Sequence, residues 1–400
     1  MLLVQQKLDV KEKKRANLFN WRGQFTPELV DYLLTKFAKE GQTILDPFAG
    51  SGTVLVESGR KTMNSIGFEI NPSAYAMAKF YTLLSISFTE KQNFLSNLKE
   101  KIKIVLTGKE ELLLWENNED YRLKYKNLLD FTKDILSLIS CDTQKILLMN
   151  LLFIAENSKL NHLKSAIYKA FEYIEKALFS FPQRSVKVEV NLADARETDR
   201  FLQDNVDVIL TSPPYINVFN YHQNHRAIVE VAGWNILKVA ESEIGANRKN
   251  RTNRFRTVVQ YALDIELALQ SFSKSLKDNG LLIMVVGNQS NVRQVPFYNG
   301  EIVKDLINGL GIFSEMNNHE RTFKNKFGNA IKEDIIITSK VKKRADFMSN
   351  AKHIAQKHLE FALNFTTEEI QKNEIKDVLN TIDNIKPSPI LNLNNIFTNA

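Results

Sequence analysis

Two short stretches carry the residues with most chemistry to offer. In the first, Val206-Asp-Val-Ile-Leu-Thr211 ends in Ser212-Pro213-Pro214-Tyr215. Consecutive prolines lack backbone N–H donors and stiffen the turn, so its carbonyl oxygens are left to accept hydrogen bonds. The Ser212 oxygen and the Pro213 carbonyl can then hold the two hydrogens of an amino group, while Tyr215 offers a face on which a flat ring can stack. An amino group attached to an aromatic ring is a poor nucleophile because its lone pair is delocalised. Acceptors on its hydrogens draw the nitrogen toward a tetrahedral shape, and the amine itself becomes the attacking group. A plain stiff turn at a strand end is the alternative for these four residues.

In the second stretch, Thr43-Ile-Leu-Asp46 reads as a strand, Pro47 to Gly52 as a glycine-containing turn, and Thr53-Val-Leu-Val-Glu-Ser58 as a helix. Such a loop is where open α/β sheets bind ligands, because backbone N–H groups and a helix N-terminus converge there. Gly50 and Gly52 allow close approach, and Asp46 suits a cationic amine. Glu69, 23 residues on at the end of the run Asn64-Ser-Ile-Gly-Phe-Glu69, is placed to accept ribose hydroxyls.

Asp46-Pro47-Phe48-Ala49-Gly50-Ser51-Gly52-Thr53 resembles the S-adenosylmethionine loop of amino-methyltransferases that act on nucleic-acid bases. The resemblance implies that this loop, with Asp46, Pro47, Phe48, Gly50, Gly52 and Thr53, holds the methionine end of S-adenosyl-L-methionine, and that Glu69 holds its ribose. Phe25-Thr26-Pro27-Glu28-Leu29-Val30 is similar to the segment these enzymes set against the methionine moiety, which brings in Phe25 and Thr26. Asp194, in Leu192-Ala-Asp-Ala-Arg196, follows the strand that supplies an acceptor for the cofactor adenine, with an ordinary surface turn as its alternative. Ser212, Pro213, Pro214 and Tyr215 resemble the catalytic motif of DNA amino-methyltransferases, in which a leading serine goes most with cytosine N4 and a leading Asp or Asn with adenine N6. The cofactor loop precedes the catalytic turn here, whereas many enzymes with this motif are circularly permuted.

Stepping outward, the runs Lys187 to Asn191, Val206 to Thr211, Gly280 to Gly287 and Asp334 to Ser339 look like further strands of one sheet. The expected fold is α/β: a seven-stranded, mostly parallel, Rossmann-like methyltransferase sheet with a helical insertion and a helical C-terminal extension. Residues 1–74 and 186–340 form its two parts. Residues 75–185 form the insertion, where Phe131, Ile135, Leu138 and Ile139 fall at helical spacing, and which is the largest candidate for reading a target sequence. Residues 341–400 form a tail whose Asn-rich end is expected to fray.

The chain has 400 residues, 53 basic against 46 acidic, for a net charge of +7. Arg248, Lys249, Arg251, Arg254 and Arg256 cluster just after the catalytic turn without an acidic neighbour, a position suited to DNA phosphates. Asn220, Phe219, Tyr221, His222 and His225 are candidates for touching the substrate; His353 and His358 read as solvated, and no histidine pair has metal-ligand spacing. Cys141 is the sole cysteine, which excludes an internal disulfide and fits a reducing, cytoplasmic setting. It reads as a buried apolar cysteine far from the turn, which disfavours 5-methylcytosine chemistry. The N-terminus has no signal-like apolar run, and the stretch Ile146 to Ala155 is interrupted by Asn150 and is too short for a membrane helix, so a soluble chain with no membrane partner is expected. These readings converge on methyl transfer to cytosine N4 in double-stranded DNA with the target base flipped out, no metal being required. The chain would be the modification enzyme beside a cognate restriction endonuclease. Adenine N6 is the rival base, and guanine-N2 methylation of tRNA the rival substrate.

Overall fold

The computed structural model describes residues 3–11, 15–181, 185–216, 220–246, 252–315, 317–324, 328–342 and 350–397. Its strands are β1 Thr43–Asp46, β2 Asn64–Glu69, β3 Val188–Leu192, β4 Val206–Thr211, β5 Leu276–Gly287, β6 Ser290–Val292, β7 Val295–Phe297, β8 Asn317–Lys324 and β9 Ala330–Ser339. Seven of them make one sheet in the order β3-β2-β1-β4-β5-β9-β8, while β6 and β7 pair as a separate small hairpin. Strands β1 to β5 run parallel; β9 is antiparallel to β5, and β8 to β9. This is the seven-stranded, mostly parallel Rossmann-like arrangement expected.

Alternate residues of the central strands serve opposite faces, and both faces are apolar because helices cover both. Ile44, Val208, Leu210 and Ile283 pack under the helix Pro27–Phe37 through Leu29, Val30, Leu33 and Leu34. Leu45, Ile209, Leu282 and Met284 face the helices Arg256–Ser275 and Asn299–Leu310. Between β2 and β3 run the helices Phe88–Leu106, Lys126–Leu136, Asp142–Glu156 and Leu163–Ser180, which share buried residues such as Leu98, Phe131, Leu152 and Phe171. Asn150, the polar interruption in the Ile146 to Ala155 run, donates from Nδ2 to the Ala76 carbonyl at 2.8 Å and so ties this helical layer to the sheet side. No helix among the described residues is long and apolar enough to cross a membrane.

One strand is not foreseen and three expectations are corrected. Strand β8 has the sequence NNHERTFK and a largely exposed edge position, so it carries none of the apolar pattern that marked its neighbours. Cys141 is half-buried at the N-cap of the helix Asp142–Glu156 rather than in the apolar core. His358 is buried, its Nε2 2.9 Å from an Asp305 carboxylate oxygen, although His353 is exposed as expected. The tail does not fray through residue 397: its final segment is strapped to the core.

That strap hangs on Arg196. Its guanidinium donates to both Asp194 oxygens at 2.6 and 2.8 Å, to Asp264 Oδ1 at 2.7 Å, and to the carbonyls of Ser388 and Pro389 at 2.7 and 2.8 Å. Ser388 N–H in turn donates to Asp264 at 2.8 Å, and Asn235 N–H to the Ile396 carbonyl at 2.7 Å. Removing one partner of a buried ionic cluster leaves charges uncompensated, at a cost of about 3–5 kcal/mol. Arg196→Ala is therefore expected to lower the free energy of unfolding from denaturant titration by that amount and to expose residues 386–397 to limited proteolysis; an unfolding free energy within about 1 kcal/mol of the parent would contradict the anchoring role.

Candidate active site

The carboxyl ends of β1, β2 and β4 open into a cleft whose lining includes Asp46, Gly50, Glu69, Asp194 and Ser212. Strand β1 is the switch point: β2 lies on one side of it and β4 on the other, and crevices form where the strand order reverses in this way. Asp46 stands at the end of β1 and Thr211 at the end of β4. The Thr211 hydroxyl donates to Asp46 Oδ1 at 2.6 Å, and the Phe48 N–H donates to the same oxygen at 3.1 Å.

The glycine turn then folds back on β2. Glu69 accepts from the Gly50 N–H and from the Asn71 N–H, each at 2.8 Å, so its two oxygens clamp the turn to the start of the helix Pro72–Lys79. Gly50 and Gly52 both have positive φ, and at Gly52 an added Cβ would stand 2.7 Å from the Tyr81 ring. Gly52 thus does not line the cleft; it lets the turn pack on Tyr81 and start the helix Thr53–Arg60. Gly50 does line it, under the Trp21 ring.

The segment before Phe25 closes one wall. Asn17 donates to the Phe25 carbonyl at 2.9 Å and accepts from the Thr53 hydroxyl at 3.0 Å, while Ser51 donates to Gln24 at 2.9 Å. Phe25 lines the cleft, whereas Thr26 serves as the N-cap position of the helix Pro27–Phe37. Trp21 stacks on Tyr221 with centroids 5.8 Å apart and planes at 15°, which brings in two aromatic rings, one of them unforeseen. Trp21, Gln24 and Glu243 escaped sequence reasoning because each sits in a loop with no periodic or motif signal of its own.

The charged lining of the cleft is mostly acidic, with Asp46, Glu69, Asp194 and Glu243 against one arginine, Arg22. Burial pushes the carboxyls of Asp46 and Glu69 up to about 7 against their hydrogen bonds, which pull the other way. Among the described residues neither has a cationic partner. Glu243 also lines the cleft; its Oε2 is 3.0 Å from His222 Nδ1, and its buried Oε1 has no hydrogen-bond partner among the described residues, nor has Asn71 Nδ2. Buried carboxylates without cations, unpartnered polar atoms and aromatic walls fit a cationic ligand with polar edges and a flat ring, which S-adenosylmethionine is.

Ser212 and Pro214 reach the cleft rim; Pro213 is buried and Tyr215 is turned to the far side of the turn, its ring against Gly287, where a Cβ would come within 2.7 Å. The Tyr215 hydroxyl donates to Glu333 Oε1 at 3.1 Å and lies 3.3 Å from Ser212 Oγ. Burial first, and the nearby Glu333 second, hold the Tyr215 hydroxyl well above the usual phenol range. Ile216 N–H donates to Asn299 Oδ1 at 3.3 Å, fixing the turn's exit.

Other expected residues fall elsewhere. Asp194 lines the cleft, but Arg196 already engages both its oxygens. His222 is buried behind Glu243, and His225 pairs with Glu156 and stacks on Phe153 away from the cleft. Asn220 is exposed; Phe219 lies outside the described residues, as do Arg248, Lys249 and Arg251. Of the basic cluster, Arg254 is exposed and Arg256 half-buried at the first position of the helix Arg256–Ser275. No group of acidic, His or Cys side chains among the described residues could hold a metal ion.

The profile of a family described as DNA methylase matches residues 4–80, a span that includes Phe25, the Asp46 turn and Glu69. The chain is 22% identical to the type II methyltransferase M.MjaII of Methanocaldococcus jannaschii, over 70% of this chain and 74% of that protein. It is 23% identical to the type II methyltransferase M.BsoBI of Geobacillus stearothermophilus, where the match takes in 57% of this chain and 55% of the relative. Among solved structures, TrmN from Thermus thermophilus superposes with a TM-score of 0.34 at 14% identity, covering 80% of this chain and half (50%) of that one. A SAM-dependent methyltransferase from Methanosarcina mazei gives a TM-score of 0.34 at 11% identity, covering 77% of this chain and 97% of that one. The resemblance read from the Asp46 turn is thereby borne out: by sequence the chain is similar to the DNA methylases of the N6/N4 type.

Proposed function

We propose that the protein is an S-adenosylmethionine-dependent DNA methyltransferase acting on an exocyclic amine, cytosine N4 in the first instance, and that it serves as the modification enzyme of a restriction–modification system. The observation that carries this reading is the Thr211–Asp46 hydrogen bond, which sets the Ser-Pro-Pro-Tyr turn on the rim of a cleft built for a cation. The DNA methylase family and the type II methyltransferases to which the chain is similar support DNA over tRNA as the substrate. A leading serine at position 212 favours cytosine over adenine.

When bound, the cofactor supplies an electrophilic methyl group on a sulfonium. The chain's own residues do the rest. Asp46 and Glu69 meet the cofactor's positive charge and its hydroxyls; Trp21, Tyr221 and Phe48 enclose its flat parts. Ser212 Oγ and the Pro213 carbonyl take the amine's hydrogens, so that the nitrogen lone pair is turned toward the cleft. Pro214 limits the depth of the extruded base, while Tyr215, turned away from the cleft, holds Ser212 through its hydroxyl. Arg254 and Arg256, with Arg248, Lys249 and Arg251, meet the phosphates that stay outside.

Three outcomes are expected. Incubated with cofactor and unmethylated genomic DNA, the protein should yield N4-methylcytosine on nucleoside digestion; N6-methyladenine would transfer the reading to adenine, and label found only with tRNA would overturn it. Ser212→Ala combined with Tyr215→Ala should abolish transfer and leave cofactor affinity nearly intact, so transfer at the parent rate would refute these roles. Because the Asp46 carboxyl sits near 7 and pairs with a cation only when ionised, cofactor affinity measured by calorimetry should rise about tenfold between pH 6 and pH 8. Without the cofactor the sign reverses: the raised Asp46 and Glu69 carboxyls favour folding when protonated, and that stability is lost progressively as pH climbs from about 4 to about 7. Asp46→Asn should flatten both trends, and a cofactor affinity independent of pH would exclude the charge pairing.

A further inference from the structure

Resting on the amine-holding role of Ser212, we propose that Glu333, held by Arg321, sets the direction of the Ser212–Tyr215 hydrogen bond and so keeps the serine oxygen available as an acceptor. Glu333 is a positioning residue that reaches the substrate only through two hydroxyls.

Arg321 on β8 and Glu333 on β9 are directly paired in register, and Arg321 Nε donates to Glu333 Oε2 at 2.7 Å. The guanidinium lies 4.6 Å from the centroid of the Phe323 ring, which fixes its plane. An ion-paired carboxylate can only accept, so the contact of 3.1 Å between Glu333 Oε1 and the Tyr215 hydroxyl must use the tyrosine's hydrogen. A phenol has one hydrogen. At 3.3 Å from Ser212 Oγ, the Tyr215 oxygen therefore accepts, and the serine donates. With its own hydrogen turned away from the cleft, Ser212 presents lone pairs toward the cleft and can take a hydrogen from an amine there. In the opposite polarity, the serine O–H would be free to donate to the amine nitrogen and occupy the lone pair that must attack. The edge strand β8, which adds little apolar burial, thus bears on the chemistry by holding Glu333 in place.

Glu333→Gln is close to isosteric and tests the direction rather than the shape. Arg321 can only donate, so it claims the amide oxygen and leaves the amide N–H facing Tyr215; the tyrosine must then accept there and donate to Ser212. The substitution is expected to lower kcat roughly tenfold to a hundredfold, on the scale of losing one preorganised polar contact, while cofactor affinity stays at the parent value and the thermal midpoint falls because the buried Arg321 loses its counter-charge. Tritiated methyl transfer from S-adenosylmethionine to unmethylated genomic DNA is the readout. Tyr215→Phe keeps the ring and leaves transfer measurable, and in that background Glu333→Gln should cost nothing further, because no hydroxyl remains to be reversed. Parent-like kcat in Glu333→Gln, or an equal loss in the presence and absence of the Tyr215 hydroxyl, overturns the proposal. A Ser212→Ala variant with undiminished transfer would overturn instead the amine-holding role on which it rests.

Discussion

The hydrogen bond from Thr211 to Asp46 is the constraint on which the site depends. Parallel strands β1 and β4 are in register at Ile44 with Val208 and Leu45 with Ile209, so their last residues emerge side by side. One strand then turns into the glycine loop toward β2 and the other into the proline turn toward β5. The crevice between them exists because the chain leaves in two directions. A short bond between the two departing ends holds both turns at one spacing, and it also keeps Asp46 facing inward at a depth where water cannot solvate it. The raised carboxyl is the electrostatic consequence of that placement.

Much of the remaining structure holds these two turns. Asn17 and Gln24 stitch the N-terminal segment onto Thr53 and Ser51. Glu69 uses two backbone N–H groups to set the return of the glycine loop. On the other side, Gly287 admits the Tyr215 ring, and Asn299 joins the turn's exit to the Gly287 carbonyl and the Ser290 hydroxyl. Positions that look like generic β-sheet glycines or loop asparagines are thus part of the site's geometry.

The parts legible in the sequence were those whose physics is local. Strands β1 to β5 announce themselves because a sheet covered on both faces needs continuous β-branched and leucine runs, and the two turns announce themselves through glycine and proline, whose backbone effects are intrinsic. Strand β8 was not legible, since an exposed edge places no demand on hydrophobicity and its register is set by β9. The role of Gly52 was misread for a similar reason: a glycine required by Tyr81, 29 residues away, looks the same in sequence as one required by a ligand. Asp194 was expected at the adenine, and it does line the cleft, yet its side chain is engaged by Arg196, which a tail segment nearly two hundred residues later completes. Long-range polar clusters of this sort leave no periodic trace. His358 and the strapped tail belong to the same class.

The charge distribution of the chain acquires a meaning that its sum lacks. The chain carries a net charge of +7, whereas the cleft holds Asp46, Glu69 and Glu243 with no cation paired to the first two among the described residues. On the proposed reading these opposite signs sort the reactants. A cationic cofactor is drawn into the acidic interior, and a polyanion is drawn to the basic exterior but repelled from the cleft by the same carboxylates. What can pass from the second to the first is a neutral base swung out of its duplex while its phosphates stay behind. The acidity that binds the cofactor therefore also restricts entry to the one uncharged part of the nucleic acid, and the amine on that part is what the Ser212 turn is shaped to receive.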